Sequence, residues 1–183
     1  MYVIRIITRI IIKHIVVLFY LIVPLFIVTE IPLYSNCIKG NCKNGNGTYH
    51  YLNGDEYSGF FKNGKPHGMG ACRYSSGERY NGNFENGVIH GNGTYYFLNG
   101  DTFSGIFQNG RIQHGVYRFR NGEKYIGWFY NGKKEGEGAY YYSNGYTYQG
   151  TWENDAKNGS GALYFKGKII KQGTWVKGKI LHN

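Results

Sequence analysis

Tyr57-Ser58-Gly59-Phe60-Phe61-Lys62-Asn63-Gly64 is the stretch on which the rest of the chain is built. An aromatic residue, a glycine two places on and a second aromatic two places further form a period-2 run closed by Asn-Gly. The phrase returns as Tyr80-Asn81-Gly82-Asn83-Phe84-Glu85-Asn86-Gly87, then at Phe103-Ser104-Gly105-Ile106-Phe107, Tyr125-Ile126-Gly127-Trp128-Phe129 and Tyr148-Gln149-Gly150-Thr151-Trp152. A fading copy is Lys171-Gln172-Gly173-Thr174-Trp175. The central glycines are therefore spaced by about 23 residues throughout, with one step of 22, and a fixed period of this size marks a repeat architecture.

Between successive copies lies a second alternating run, as in Gly91-Asn92-Gly93-Thr94-Tyr95-Tyr96-Phe97. Alternation rich in aromatic and β-branched residues reads as strand. Asn63-Gly64, Asn86-Gly87, Asn109-Gly110 and Asn131-Gly132 mark bends that need positive φ. A second set of bends follows at Asn53-Gly54, Ser76-Gly77, Asn99-Gly100, Asn121-Gly122 and Asn144-Gly145. Strand and turn alternate with no crossover helix, so the fold is all-β, an elongated antiparallel meander. Five full repeats run from 57 to 170 between two half units, the first being 45–51, which predicts about twelve strands.

The phrase Tyr-x-Gly-x-Phe/Trp-x-Asn-Gly-x-x-His-Gly-x-Gly closely resembles the MORN (membrane occupation and recognition nexus) repeat. Residues 57–70 and 80–93 match in full, including His67-Gly68 and His90-Gly91. Repeat 103–124 is one residue short between Gly110 and Gly115. Glu135 replaces the histidine in repeat 125–147, and Asp155 and Asn158 depart from the pattern in repeat 148–170. The resemblance covers about 41–183 and implies about six 23-residue hairpins. It also implies a scaffold or protein-interaction role, with lipid binding in some members. Catalysis in such proteins belongs to separate domains, and the residues of the array leave no stretch for one.

The formal charge of +10 raises the question of nucleic acid. Residues 41–156 hold eleven basic and ten acidic side chains, so the array is near neutral. A phosphate-tracking surface needs a basic stripe; by this balance the stripe is absent, and no nucleic-acid partner is expected. The excess lies at the ends. Lys157, Lys166, Lys168, Lys171, Lys177 and Lys179 stand in a tail without an acid. These lysines either cap an open sheet edge or form a binding surface for anionic lipid.

Ahead of the array, Arg5, Arg9 and Lys13 precede an apolar run from Ile15 to Val28 broken by Pro24. This is the pattern of an export signal or membrane anchor over 1–36, with the repeats on the non-cytoplasmic side. Residues 37–44 then form a short cysteine-containing linker. Leu33-Tyr34-Ser35-Asn36-Cys37 loosely resembles a bacterial lipoprotein box, so Cys37 either carries lipid or closes a disulfide with Cys42; the leader is cleaved, lipidated or retained. Cys72 stands where other repeats have Tyr95, Tyr117, Tyr140 and Leu163, and reads as a small core filler.

No nucleophile–base pair and no cofactor or metal constellation emerges. His67, His90 and His114 recur near one repeat position, but successive repeats would hold them about 10 Å apart, too far to share an ion. Asn46-Gly47-Thr48, Asn92-Gly93-Thr94 and Asn158-Gly159-Ser160 fit the N-glycosylation pattern, which the repeat itself generates. The two faces say more. One gathers the aromatics, with the glycines leaving room for rings to lie over the backbone. The other is polar in most units but apolar in the middle, where Ile106, Ile126 and Trp128 join Tyr96 and Tyr141 beside Arg73 and Arg118. Exposed apolar patches with aromatic and arginine content are docking sites, here for a protein partner or a second copy of the chain.

Overall fold

A computed structural model describes residues 36–181 of the chain. They form one sheet of fourteen antiparallel strands in sequence order. The strands are β1 (Asn36–Gly40), β2 (Gly45–His50), β3 (Glu56–Lys62), β4 (Lys65–Arg73), β5 (Arg79–Glu85), β6 (Val88–Tyr96) and β7 (Thr102–Gln108). They continue as β8 (Arg111–Arg118), β9 (Lys124–Tyr130), β10 (Lys133–Tyr141), β11 (Tyr146–Glu153), β12 (Ala156–Phe165), β13 (Lys168–Val176) and β14 (Lys179–Ile180). The expected export or anchor segment lies outside the described residues, apart from Asn36. Among the described residues no helix is long and apolar enough to cross a membrane.

Fourteen strands replace the expected twelve because both ends are extended. The segment read as a linker supplies β1, which pairs with β2 from Asn36↔His50 to Gly40↔Gly47. The first half unit is thus completed to a hairpin, and a Cys37–Cys42 disulfide closes its turn. At the other end Trp175 and Val176 pair with Ile180 and Lys179.

Each turn is built as its residues demand. Asn63 and Gly64 both take positive φ (51° and 75°), as do Asn86-Gly87, Asn109-Gly110 and Asn131-Gly132. These are the two-residue turns whose twist suits a hairpin. In the fifth repeat Asp155 takes the glycine's place at φ 70°. That strain is offset locally, because Asp155 Oδ1 accepts from Lys134 N–H at 2.9 Å and pairs with the Lys134 ammonium.

One face holds the core, and its unit is a ring laid over two facing glycines. Gly59 pairs with Gly70, Gly82 with Gly93, Gly127 with Gly138 and Gly150 with Gly161. Tyr57, Tyr80, Tyr125 and Tyr148 lie across these pairs, essentially fully buried. A Cβ on Gly93 would sit 2.2 Å from Tyr80 Oη and 2.5 Å from its ring. The hydroxyls reach past the glycines to donate to the carbonyl three residues on, Tyr57 to Phe60 at 2.9 Å and Tyr80 to Asn83 at 3.0 Å. Repeat three uses Phe103, which keeps the ring and lacks the bond.

Edge-to-face contacts chain these rings together. Tyr57 meets Phe61 and Phe84; Tyr80 meets Phe84 and Phe107; Phe103 meets Phe107 and Phe129. Tyr125 and Tyr148 continue the ladder through Trp152 to Trp175. Each such pair contributes roughly 0.5–1.5 kcal/mol beyond area burial.

A second ladder is made of carboxylates that follow the Asn-Gly or Ser-Gly bends. Asp101 accepts from Arg120 N–H and the Tyr117 hydroxyl, both at 2.8 Å. Glu123 accepts from the Tyr140 hydroxyl at 2.6 Å and Glu78 from that of Tyr95 at 3.0 Å. Burial alone would raise the Asp101 carboxyl, but the Arg120, Tyr117 and Asn99 donors outweigh it and hold the group below its ordinary value. For Glu123 the Tyr140 hydroxyl is the main cause of the same lowering.

The short repeat also has a structural cause. In the other full repeats β4, β6, β10 and β12 carry a bulge with a left-handed glycine, namely Gly68, Gly91, Gly136 and Gly159. In β8 the register passes from Phe107↔Ile112 to Ile106↔His114, so the bulge holds only one extra residue. The deletion removes the left-handed glycine and leaves the pairing on either side intact.

Two outcomes follow. Gly93→Ala should cost about 3 kcal/mol in urea unfolding of the full chain, because Tyr80 is wedged between Phe84 and Phe107, whereas Tyr80→Phe should cost only about 1 kcal/mol. A Gly93→Ala loss as small as that of Tyr80→Phe would refute the ring-over-glycine account. Asp101 and Glu123 have lowered folded pKa values, so their contribution is present above the unfolded carboxylate value and is lost as pH falls through the folded one. Stability should decline below about pH 4; Asp101→Asn should lower it at neutral pH and flatten that acid limb, and an unchanged limb would contradict the ladder.

Candidate functional site

With the aromatic ladder buried on one face, the opposite face carries the strand positions that nothing in the array covers. Cross-strand register sorts them into rows. The first runs Asn92, Ile106, His114, Trp128. The second runs Ser104, Val116, Ile126, Ala139. The third runs Arg79, Tyr96, Thr102, Arg118, Lys124, Tyr141. All six residues expected to form the docking patch, Tyr96, Ile106, Ile126, Trp128, Tyr141 and Arg118, therefore lie on this face over β6–β10.

Within the patch Ile106 is 47% and Trp128 51% exposed. Both are large apolar side chains left in solvent, with one ring between them. That ring is His114, whose centroid lies 4.6 Å from the Trp128 ring. Tyr130, two residues beyond Trp128 on the same side of β9, is 69% exposed and extends the patch toward the turn. Val116 and Ile126, directly opposed, fill the middle row.

His114 and Val116 were legible but missed. His114 reads as a third member of the His67 and His90 series, yet the shortened bulge moves it to the place of Met69 and Asn92, next to the row glycine and facing outward. Its distance to Gly115, one residue and not three, is the signal. The three histidines are thus not one repeat position. Among the described residues no group of three or more His, Cys, Asp or Glu side chains is arranged to hold a metal ion.

The charge layout departs from expectation in two places. First, the register gathers Arg73, Arg79, Arg118 and Lys124 into one row, so a short basic stripe exists despite the neutral balance of the array. Arg79 lies over the Tyr96 ring at 5.7 Å and Lys124 over Tyr141 at 4.1 Å. Second, Lys157 does not belong with the lysines proposed for lipid. Its ammonium lies 4.9–5.2 Å from the rings of Tyr142, Tyr148 and Trp175, on the core face. Desolvation there lowers its pKa. Lys166, Lys168, Lys171, Lys177 and Lys179 are exposed.

On the core face, Cys72 supplies a small side chain where other repeats place a ring. A groove of about 650 Å³ opens there, lined by Tyr51, Tyr57, Tyr74, Phe84 and Tyr95. Burial pushes the free Cys72 thiol up to about 11, so it stays protonated at neutral pH and behaves as filler. The groove's Asp55 and Glu78 are already engaged, by Ser75 N–H and by the Tyr95 hydroxyl. Cys37 and Cys42 are bonded to each other, and a thioether lipid on Cys37 would exclude that bond.

Comparison with known proteins gives distant structural likenesses and one family match. The chain is similar to the TCP domain of SAS-4 (dCPAP) of Drosophila melanogaster, solved in complex with a proline-rich motif of Ana2 (dSTIL). That domain is 14% identical with a TM-score of 0.46, and the match covers 80% of this chain and 92% of that one. The wild-type TCP10 domain of Danio rerio CPAP is 18% identical, with a TM-score of 0.28 and 71% and 73% covered. No curated protein matches the sequence significantly. The MORN repeat matches at residues 39–56, 57–79, 80–102, 103–124, 125–145 and 148–167, six units from β1 to β12, and the chain belongs to the MORN repeat family.

Proposed function

We propose that this chain is a non-enzymatic interaction module, tethered to or exported across a membrane, that docks a protein partner or a second copy of itself through the outward face of β6–β10. The observation that carries this reading is the contiguous row Ile106–His114–Trp128. It leaves large apolar side chains in solvent on the face that the core does not use. Apolar area of this kind is stabilised when a partner removes it from water, and tryptophan at the centre of such a patch is a typical anchor.

The membrane part of the reading is supported by the basic residues Arg5, Arg9 and Lys13 ahead of the apolar run Ile15 to Val28. The Cys37–Cys42 disulfide agrees with it, since such bonds persist in oxidising compartments. The repeats then stand on the non-cytoplasmic side.

A second reading, binding of anionic lipid at the far end, is favoured by one observation. Ile169 and Ile170 are 56% and 50% exposed beside the lysines of β13, which places apolar and basic groups together at a sheet edge. It predicts salt-sensitive binding to anionic vesicles that is lost when Lys168, Lys171, Lys177 and Lys179 become Gln.

Trp128→Ala tests the main reading. Capture of a cross-linked partner from host membranes, or self-association in sedimentation, should weaken at least tenfold, about 2 kcal/mol. The thermal unfolding midpoint should stay unchanged because Trp128 lies outside the core. Capture and self-association both unaffected by the substitution would contradict the proposal.

A further inference from the structure

The outward row nearest the second set of bends holds cations in directly opposed pairs. Arg73 stands directly opposite Arg79, and Arg118 directly opposite Lys124. Like charges in directly paired positions destabilise a sheet, and the arrangement occurs twice in the same row.

Among the described residues no acid forms an ion pair with these four cations. The ion pairs among the described residues are His50–Glu56, His90–Glu85 and Lys134–Asp155, and none includes these four cations. Glu56 is cross-strand from Arg73 but bonds His50 at 2.5 Å. Glu78, Asp101 and Glu123, nearest in sequence, turn to the core face and are held there by tyrosine hydroxyls. Here Glu78, Asp101 and Glu123 face the core rings, while Arg73, Arg79, Arg118 and Lys124 share the outward row.

We propose that this row binds an acidic, extended polypeptide segment laid across β4–β10 alongside the apolar patch. The proposal rests on the reading of this face as the docking surface and adds the chemistry of the partner. Arg79 and Arg118 are three strands apart, roughly 14 Å, which an extended chain covers in about four residues. The partner would carry acidic residues at about that interval. Its apolar side chains between them would face Val116, Ile126 and Trp128.

A single-stranded nucleic acid fits less well. Stacking needs open aromatic faces, whereas Arg79 already lies over Tyr96 and Lys124 over Tyr141.

The test uses the full chain in detergent and a labelled peptide of about twenty residues, with glutamate pairs every four residues and leucines between them. The pair Arg118→Glu and Lys124→Glu should weaken binding at least about tenfold, and so should Arg73→Glu with Arg79→Glu. Lys168→Glu with Lys179→Glu changes the net charge equally and should leave affinity unchanged. Removing a like-charge opposition should also raise the unfolding midpoint of Arg118→Gln, which gives up no ring contact, an outcome independent of any ligand.

No binding by the unsubstituted chain overturns the proposal. So does loss confined to the terminal-lysine variant, or tighter binding of an oligothymidine or of phosphatidylserine vesicles of equal charge. Loss with Trp128→Ala alone overturns the basic row but leaves the apolar docking surface standing. Loss with the row variants alone supports the acidic partner and counts against the apolar patch.

Discussion

A tyrosine ring lying across a pair of facing glycines is the contact on which the rest of the structure depends. It joins two strands of one hairpin. Through the edge-to-face contact of its ring with the next repeat, it also joins that hairpin to its neighbour. Among the described residues the single sheet has no second layer to bury its core face against. Here the rings fold down onto the backbone and bury themselves, which is why the glycines cannot carry a Cβ. With the core made from one face, the other has no covering element among the described residues, and its composition is free to serve docking.

The periodic features were legible from the sequence. Aromatic-x-Gly-x-aromatic alternation specified the strands, Asn-Gly specified the turns, and counting parity from each central glycine placed Ile106, Ile126 and Trp128 on the outward face. The departures arose where one residue changes meaning with register. The missing residue in repeat three lies inside the β8 bulge, so His114 leaves the His67 series and turns outward beside Trp128. Asn36–Gly40 lacks the repeat's aromatics and reads as linker, yet the Cys37–Cys42 bond and the free edge of β2 draw it into the sheet.

Charge was the least legible property, because net balance over a segment says nothing about which face each charge takes. Lys157 occupies the position of Pro66 and Ile89, so its stem packs as an apolar residue would while its ammonium meets three rings. The acids after the second bends recur as plainly as the glycines, at Asp55, Glu78, Asp101 and Glu123. Their hydrogen bonds to the next hairpin become visible only once neighbouring turns are stacked. That same withdrawal of acids to the core face leaves Arg79, Arg118 and Lys124 with no acid opposite them. A fold requirement on one face thus sets the electrostatics of the other.

The central claim is that the face opposite the aromatic ladder is the interaction face. Hydroxyl-radical footprinting of the full chain, alone and with its cross-linked partner or in its self-associated form, addresses it most directly, since oxidisable side chains mark both faces. The account predicts protection of Trp128, Tyr130 and Tyr96 on association, with Tyr51 and Tyr74 in the core-face groove unchanged. Protection of Tyr51 and Tyr74 with Trp128 still fully reactive would place the partner in the groove and contradict it.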